Sequence, residues 1–257
     1  MKKILIIGIG AGDPDYVTIQ AVNALNRVDV FFLMDKGAEK AKLIELRKEI
    51  CRRHIKGDRR YRFVDATSPH WTRDAADYRS TIETLNRDKQ GVLERLISDE
   101  LADGECGAIL VWGDPSLYDS TIRVIDVIAK SGRHDLEFEV IPGISSVQAL
   151  AARHKTPLNR IGQAVEITTG RRLAEGFPGS ADSVVVMLDA ENTFSRFADQ
   201  DIEIYWGAYL GTPDEILISG KLKDVADDIQ RIRAEVRRAN GWIMDTYLMR
   251  KADEAKD

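Results

Sequence analysis

Apolar residues along this chain fall into two patterns. Short continuous runs bounded by glycine or proline read as strands buried on both faces, and apolar positions three or four apart read as amphipathic helices. The first run occupies positions 4–9. The stretch Gly8-Ile9-Gly10-Ala11-Gly12-Asp13-Pro14-Asp15 that overlaps its end has to be a loop, because glycine and proline punctuate it. Positions 18–26 follow as a helix with Ile19, Val22 and Leu25 on one stripe, and positions 28–34 as a second strand. Strand, loop, helix, strand is the opening of a parallel α/β sheet.

From position 36 to about 100 the chain is strongly charged. It predicts an amphipathic helix over 40–53, a short strand at 62–65, a loop at Thr67-Ser68-Pro69, and one or two helices over 78–101 with Gly91 as a weak point. A buried strand at 108–112, a helix over 120–129 and a strand at 138–141, ended by Pro142-Gly143, complete this half. Beyond it the strands are often separated by turns: 165–169, 183–189, 203–210, 215–222 and 242–249, with Gly211-Thr212-Pro213-Asp214 as a hairpin turn. Positions 223–238 form an amphipathic helix with Val225, Ile229, Ile232 and Val236 on one stripe. The change of pattern puts a domain junction near 142–146. The fold class expected is α/β, with an N-terminal α/β domain over 1–142 built on a mostly parallel sheet and a C-terminal α/β domain over 143–257 built on a mixed sheet.

Composition adds bounds. With 257 residues, 44% of them hydrophobic and 31% charged, the chain can bury a core without staples. A net charge of -5 gives no global signal for nucleic acid, and a polyanionic partner would need a local basic patch. The two cysteines, Cys51 and Cys106, are far apart and match no metal spacing, so they read as free thiols and no metal site is expected. Met1-Lys2-Lys3 before an apolar run imitates a signal peptide, but the run stops at Gly8, and a buried first strand is the better reading. No run approaches the roughly 20 apolar residues of a membrane helix. The expectation is a cytoplasmic protein with neither nucleic acid nor membrane as partner.

Four segments carry candidate chemistry. The glycine loop at 8–15 suits close approach to a ligand. A nicotinamide or flavin dinucleotide fingerprint would need glycine where Asp13 stands, and that carboxylate would oppose a pyrophosphate. A tight turn without ligand is the alternative. Trp112-Gly113-Asp114-Pro115-Ser116-Leu117-Tyr118 follows a buried strand, at the sheet edge where open α/β folds bind ligands. There Asp114 either binds a hydroxyl or ammonium group, or caps a helix whose first residue is Pro115. Pro142-Gly143-Ile144-Ser145-Ser146 lies at another strand end, with Ser145 or Ser146 as helix cap, ligand contact, or both. Met187 ends a further strand as core filler or ligand contact.

Taken together and in this order, these segments resemble the tetrapyrrole (corrin and porphyrin) methyltransferase family over nearly the whole chain. The resemblance extends to Pro157-Leu158 and to Thr212-Pro213-Asp214 before a strand. In Arg60-Tyr61-Arg62-Phe63-Val64-Asp65-Ala66-Thr67 the chain is similar to the member that methylates C1 of a corrin precursor and releases acetate. The resemblance implies S-adenosylmethionine held folded in a cleft between two domains by Gly10, Ala11, Trp112, Gly113, Asp114, Leu117, Ser145, Ser146, Met187, Leu210 and Gly211, a tetrapyrrole substrate, and a homodimer. The family often has proline where Ala11 stands. Deacetylation calls for a base. Some relatives carry an aspartate where this chain has Met34, which makes its neighbour Asp35 a candidate, with Tyr118, His54 and Glu191 behind it and a surface or capping aspartate as the alternative. An acidic substrate calls for cations. Arg171 and Arg172 at a strand end are the first candidates, ahead of Lys36, Arg52, Arg53, Arg59, Arg60 and Arg62. A different methyl acceptor on the same fold (another precorrin, uroporphyrinogen, diphthine or rRNA), a nicotinamide-dependent oxidoreductase, and a non-catalytic binding module remain as alternatives.

Overall fold

The computed structural model describes residues 1–35, 41–57, 59–69 and 78–252, with the side chains of Asp35, Ala41, Tyr78 and Arg79 outside the description. The chain divides into two compact units, Met1–Ser145 and Ser146–Asp257.

The first unit is a five-stranded, wholly parallel sheet. In chain order its strands are β1 (Lys2–Gly8), β2 (Val30–Asp35), β3 (Arg62–Thr67), β4 (Cys106–Val111) and β5 (Leu136–Ile141), and in space they run β3-β2-β4-β1-β5. Two helices cover each face. On one side α1 (Ile19–Leu25) and α2 (Ala41–His54) pack Ala21, Ala24, Leu25, Ile50 and Cys51 against Leu5, Ile7, Phe31 and Leu110. On the other, α3 (Tyr78–Asp99) and α4 (Thr121–Lys130) pack Leu93, Ile97, Val124 and Ile128 against Ile4, Ile6, Phe32 and Ile109. Ile4 through Ile7 are fully buried, because the residues of a two-sided strand alternate between two apolar layers.

Local chemistry sets the element ends. Thr18 caps α1, its hydroxyl accepting from the Ala21 N–H at 3.1 Å. The buried face of this helix differs from the expected stripe. Ala21, Ala24 and Leu25 face the core, whereas Ile19 is 81% exposed, since a seven-residue helix turns only a narrow stripe inward. Gly91 does not break α3, which runs through it as one helix.

The second unit is a five-stranded mixed sheet of β6 (Val165–Thr169), β7 (Ser183–Met187), β8 (Ile202–Ala208), β9 (Ile216–Lys221) and β10 (Asp245–Lys251), ordered β6-β7-β10-β8-β9. Only the β6–β7 pair is parallel. Helices α5 (Ser146–His154), α6 (Gly170–Leu173) and α7 (Leu222–Asn240) complete it. The four strands read from 183 onward are each shorter than expected. β7 stops at Met187, releasing Asp189 into a buried polar network, and β10 begins at Asp245, leaving Trp242 to pack edge-on against Tyr209. Among the described residues no helix is long and apolar enough to cross a membrane, no cluster of side chains could hold a metal ion, and both cysteines are free.

Candidate functional site

In the first unit, adjacent strands β1 and β4 lead into helices on opposite faces, so their following loops part at the carboxyl edge. In open parallel sheets such a switch point is where ligands bind. Here the two loops are tied together. The Gly10 N–H donates to the Gly113 carbonyl at 3.3 Å, and the Gly113 N–H donates back to the Gly10 carbonyl at 2.8 Å. The loop after β5 joins them through glycine contacts that tolerate no side chain. A Cβ on Gly143 would lie 2.1 Å from the Gly113 carbonyl oxygen, and one on Gly8 would lie 2.6 Å from the Gly143 nitrogen.

Asp114 fixes the third loop to the second. One carboxylate oxygen accepts from the Gly143 N–H at 2.8 Å, and the other accepts from the Ser116 N–H at 2.8 Å and from the Ser116 hydroxyl. Burial would raise the Asp114 carboxyl, but the hydrogen bonds from Ser116 and Gly143 outweigh it and hold the group below its ordinary range. No helix starts at Pro115, contrary to the capping reading. Asp114 closes a turn instead, in which the Leu117 N–H reaches the Asp114 carbonyl at 3.3 Å, and α4 begins only at Thr121. Asp13 likewise has a local role: it caps a 3-10 turn over Pro14–Tyr16 by accepting from the Asp15 N–H at 2.9 Å.

Of the expected cofactor contacts, this unit therefore brings together Gly10, Ala11, Trp112, Gly113, Asp114, Leu117 and Ser145 on three neighbouring loops. Ala11 is 1% exposed and Ser145 4%, so both belong to a packed loop core. The surface of this cluster is backbone-rich and bordered by the half-buried Trp112 and Leu117, a lining that suits an apolar ligand with polar ends.

In the second unit, Ser146 starts α5 and its hydroxyl is 3.0 Å from that of Thr246. Thr246 pairs in register with Met187 at the end of β7. Met187 stands outside the core cluster, half-buried. Leu210 is buried, and the Gly211 N–H donates to Glu215 at 2.8 Å, while Glu215 also accepts from the Arg153 side chain at 2.7 Å. Sequence reasoning missed Glu215 and Asp189. Asp189 accepts from the Thr193 N–H and the Tyr247 hydroxyl, each at 2.7 Å, and so anchors the turn that follows Met187. Its position two residues past a strand-end methionine was the available signal.

The catalytic candidates fare unevenly. Asp35 ends β2 in register with Thr67, at the same carboxyl edge as the loops, and its side chain lies outside the described residues. Tyr118 is 44% exposed with a left-handed backbone, φ 52°. His54, expected on a solvated face, is part-buried, with its Nε2 3.0 Å from the Pro14 carbonyl oxygen. Glu191 donates its N–H to Asp189 at 2.9 Å. Among the proposed cations, Lys36 lies outside the described residues. Arg59 pairs with Asp29 at 3.0 Å and Arg62 with Glu105 at 2.9 Å, at the amino edge of the sheet and away from the loops. The Arg62 hydrogen bond is the main cause that drops the Glu105 carboxyl to about 2. Arg53 pairs with Asp15 at 2.9 Å and Arg52 with Glu49 at 3.3 Å. Arg171 and Arg172 are exposed on α6, where Arg172 pairs with Glu175.

Known proteins share this architecture. Residues 3–226 match the family described as Tetrapyrrole (Corrin/Porphyrin) Methylases. The chain is 49% identical over 251 residues to a precorrin-6A synthase [deacetylating] of Sinorhizobium sp, covering 98% of this chain and 96% of that one. A crystal structure of a cobalamin synthesis related protein (CobF) from Corynebacterium diphtheriae superposes with TM-score 0.84 at 34% identity, over 98% of this chain and 100% of that chain. A uroporphyrin-III C-methyl transferase from Thermus thermophilus, solved in complex with S-adenyl homocysteine, shares the fold with TM-score 0.53 at 15% identity, over 96% of this chain and 91% of that chain. With a near-full-length match and a strand-end loop cluster of the expected residues, the chain belongs to the tetrapyrrole (corrin/porphyrin) methylases.

Proposed function

We propose that this protein is an S-adenosylmethionine-dependent C-methyltransferase of cobalamin biosynthesis that converts precorrin-5 to precorrin-6A, methylating C1 of the macrocycle with release of acetate. The observation that carries this reading is the near-full-length identity to a deacetylating precorrin-6A synthase. In the first unit Gly10, Ala11, Trp112, Gly113, Asp114, Leu117 and Ser145 would hold the cofactor, and in the second Ser146, Met187, Leu210 and Gly211. Reciprocal bonds between Gly10 and Gly113 and the Asp114–Gly143 bond keep the first set in place before any ligand arrives. The sulfonium of the bound cofactor supplies an already activated methyl group.

The chain's task is alignment and exclusion of water. Backbone loops already held by hydrogen bonds lose little entropy when they align a carbon nucleophile with a methyl group. Acetate loss balances as addition of water to the acetyl carbonyl, cleavage of the C1–acyl bond with departure of acetate, and retention of the electron pair on C1, which then takes the methyl group. A base assists the first step by removing a proton from the water. Asp35 and Tyr118 are the candidates, Asp35 supported by its place at the carboxyl edge. Arg171 and Arg172 remain candidates for substrate carboxylates. The free thiols accord with a cytoplasmic protein, and the family resemblance supports a homodimer, which sedimentation equilibrium would test.

Supplying the corrin precursor and S-adenosylmethionine tests the reaction directly. One acetate is expected per S-adenosylhomocysteine formed. Methyl transfer without acetate would reassign the protein to another acceptor on the same fold.

A further inference from the structure

The sheet of the first unit opens at its carboxyl edge between β2 and β4. Their pairing ends at Phe32 with Ile109, although β2 continues to Asp35 beside β3 and β4 continues to Val111 beside β1. The Val111 carbonyl is taken on the β1 side by the Ile9 N–H. The Leu110 carbonyl faces the other way, into the opening, where a strand partner is missing. Arg47 of α2 fills that place: its Nε donates to the Leu110 carbonyl at 3.2 Å and its Nη1 to the Leu43 carbonyl at 3.0 Å.

These two acceptors are neutral. Among the described residues no carboxylate lies within ion-pair distance of Arg47, in contrast to Arg27, Arg53, Arg59 and Arg62 of the same unit. Asp119 is the described carboxylate whose field reaches Arg47, and the same field reaches the half-buried Lys89. Lys89 rests on the hydroxyls of Ser120 and Thr121 at 3.1 and 3.0 Å. Burial lowers both cations below their ordinary ranges, with Asp119 acting against it. Among the described residues one carboxylate, Asp119, thus faces both cations. A second observation concerns the same strand end. The indole Nε1 of Trp112 is buried without an acceptor, and its ring packs against the apolar cluster that α2 covers. A buried donor without a protein acceptor is costly unless water or a ligand supplies one.

We propose that Arg47, at the opening between β2 and β4 beside Trp112, is a binding site for a carboxylate side chain of the substrate macrocycle. This inference rests on the tetrapyrrole reading given above. It places a substrate contact on the strand end next to the cofactor loops. Arginine suits the role, because two of its donors hold it in place and leave the other N–H groups of the fork for a carboxylate.

The test compares wild-type protein with Arg47→Leu and Arg47→Lys, with Arg62→Leu as a control at the amino edge. Uroporphyrin, a polycarboxylate tetrapyrrole, is titrated by fluorescence, its methyl ester serves as the uncharged probe, and S-adenosylhomocysteine is titrated by calorimetry. Loss of a charged hydrogen bond predicts uroporphyrin affinity reduced roughly 10- to 100-fold in Arg47→Leu. Arg47→Lys should restore part of it. Ester binding and S-adenosylhomocysteine affinity should stay unchanged, and the latter also reports that the variants are folded. Unchanged uroporphyrin affinity in Arg47→Leu would overturn the proposal, and so would an equal loss in Arg62→Leu. Weakened S-adenosylhomocysteine binding with intact uroporphyrin binding would assign Arg47 to the cofactor's carboxylate instead. Wild-type protein that binds S-adenosylhomocysteine but no carboxylated tetrapyrrole would refute the substrate class, and this inference with it.

Discussion

The carboxylate of Asp114 accepts a hydrogen bond from the Gly143 N–H at 2.8 Å, joining two strand-end loops 29 residues apart. The same side chain closes its own loop through Ser116. Asp114 is therefore a structural tie as well as a candidate ligand contact, and its removal should loosen two loops at once.

Asp114→Ala should lower S-adenosylhomocysteine affinity at least tenfold and cost about 1–3 kcal/mol of stability, the range for leaving such donors unpaired. Asp114→Asn keeps one acceptor and should do less on both counts. Calorimetry and thermal melting read the two effects. An Asp114→Ala protein with wild-type affinity would remove this residue from the site.

The glycine contacts make a sharper prediction. Gly143→Ala drives a methyl group onto the Gly113 carbonyl, a backbone atom with nowhere to go, so the loops must separate. It should abolish measurable S-adenosylhomocysteine binding. Gly91→Ala is the counterpart: a Cβ there meets nothing nearer than the Arg95 guanidinium at 3.8 Å, inside a helix. It should stabilise by about 0.5–1 kcal/mol without touching affinity.

In the second unit, Arg233 and Asp245 form an ion pair at 2.7 Å with side chains 7% and 5% exposed. Burial raises the Asp245 carboxyl, and Arg233 pulls it back. Removing one partner from such a pair costs about 3–5 kcal/mol, whereas removing both costs less. Arg233→Leu should lower the melting temperature strongly, and Arg233→Leu with Asp245→Asn should recover part of the loss. A double variant no more stable than the single one would show that the pair itself is not the source.

Glu105 gives the pH dependence. Its carboxyl is held near 2 by the Arg62 hydrogen bond, below the unfolded value near 4.3. A depressed carboxyl contributes stability above the unfolded pKa and loses it as pH falls through the folded one. Glu105→Gln should thus melt lower than wild type at pH 6, with the gap narrowing from about pH 4 to 2. A gap independent of pH would mean that the charge plays no part.

How far the sequence revealed these features depends on how local each one is. The run from Ile4 to Ile7 and the glycines after it mark a buried strand and its exit loop by residue type alone. So does the clustering of Gly113, Asp114 and Gly143 at strand ends, because tight turns need those residues wherever they occur. Asp114 was legible as a functional position but its role as a tie was not, since its partner is a backbone N–H on another loop. Arg47 gave no signal. It sits in a run of charged helix residues that reads as a solvated face, and its half-buried place follows from where β2 and β4 part. Arg62 is among the cations that the sequence offers behind Arg171 and Arg172 for an acidic ligand, yet its place at the start of β3 puts it at the opposite edge. Asp189 was read as the end of a strand because alternation cannot tell a strand's last residue from the first residue of a buried turn.

The most direct measurement is a pair of calorimetric titrations on wild-type protein, one with S-adenosylhomocysteine and one with NADPH. Saturable binding of S-adenosylhomocysteine at one site per chain, with no heat from NADPH, is the predicted result. Saturable NADPH binding with none of the sulfur ligand would contradict the assignment of the Gly10, Gly113 and Gly143 loops to a methyl donor.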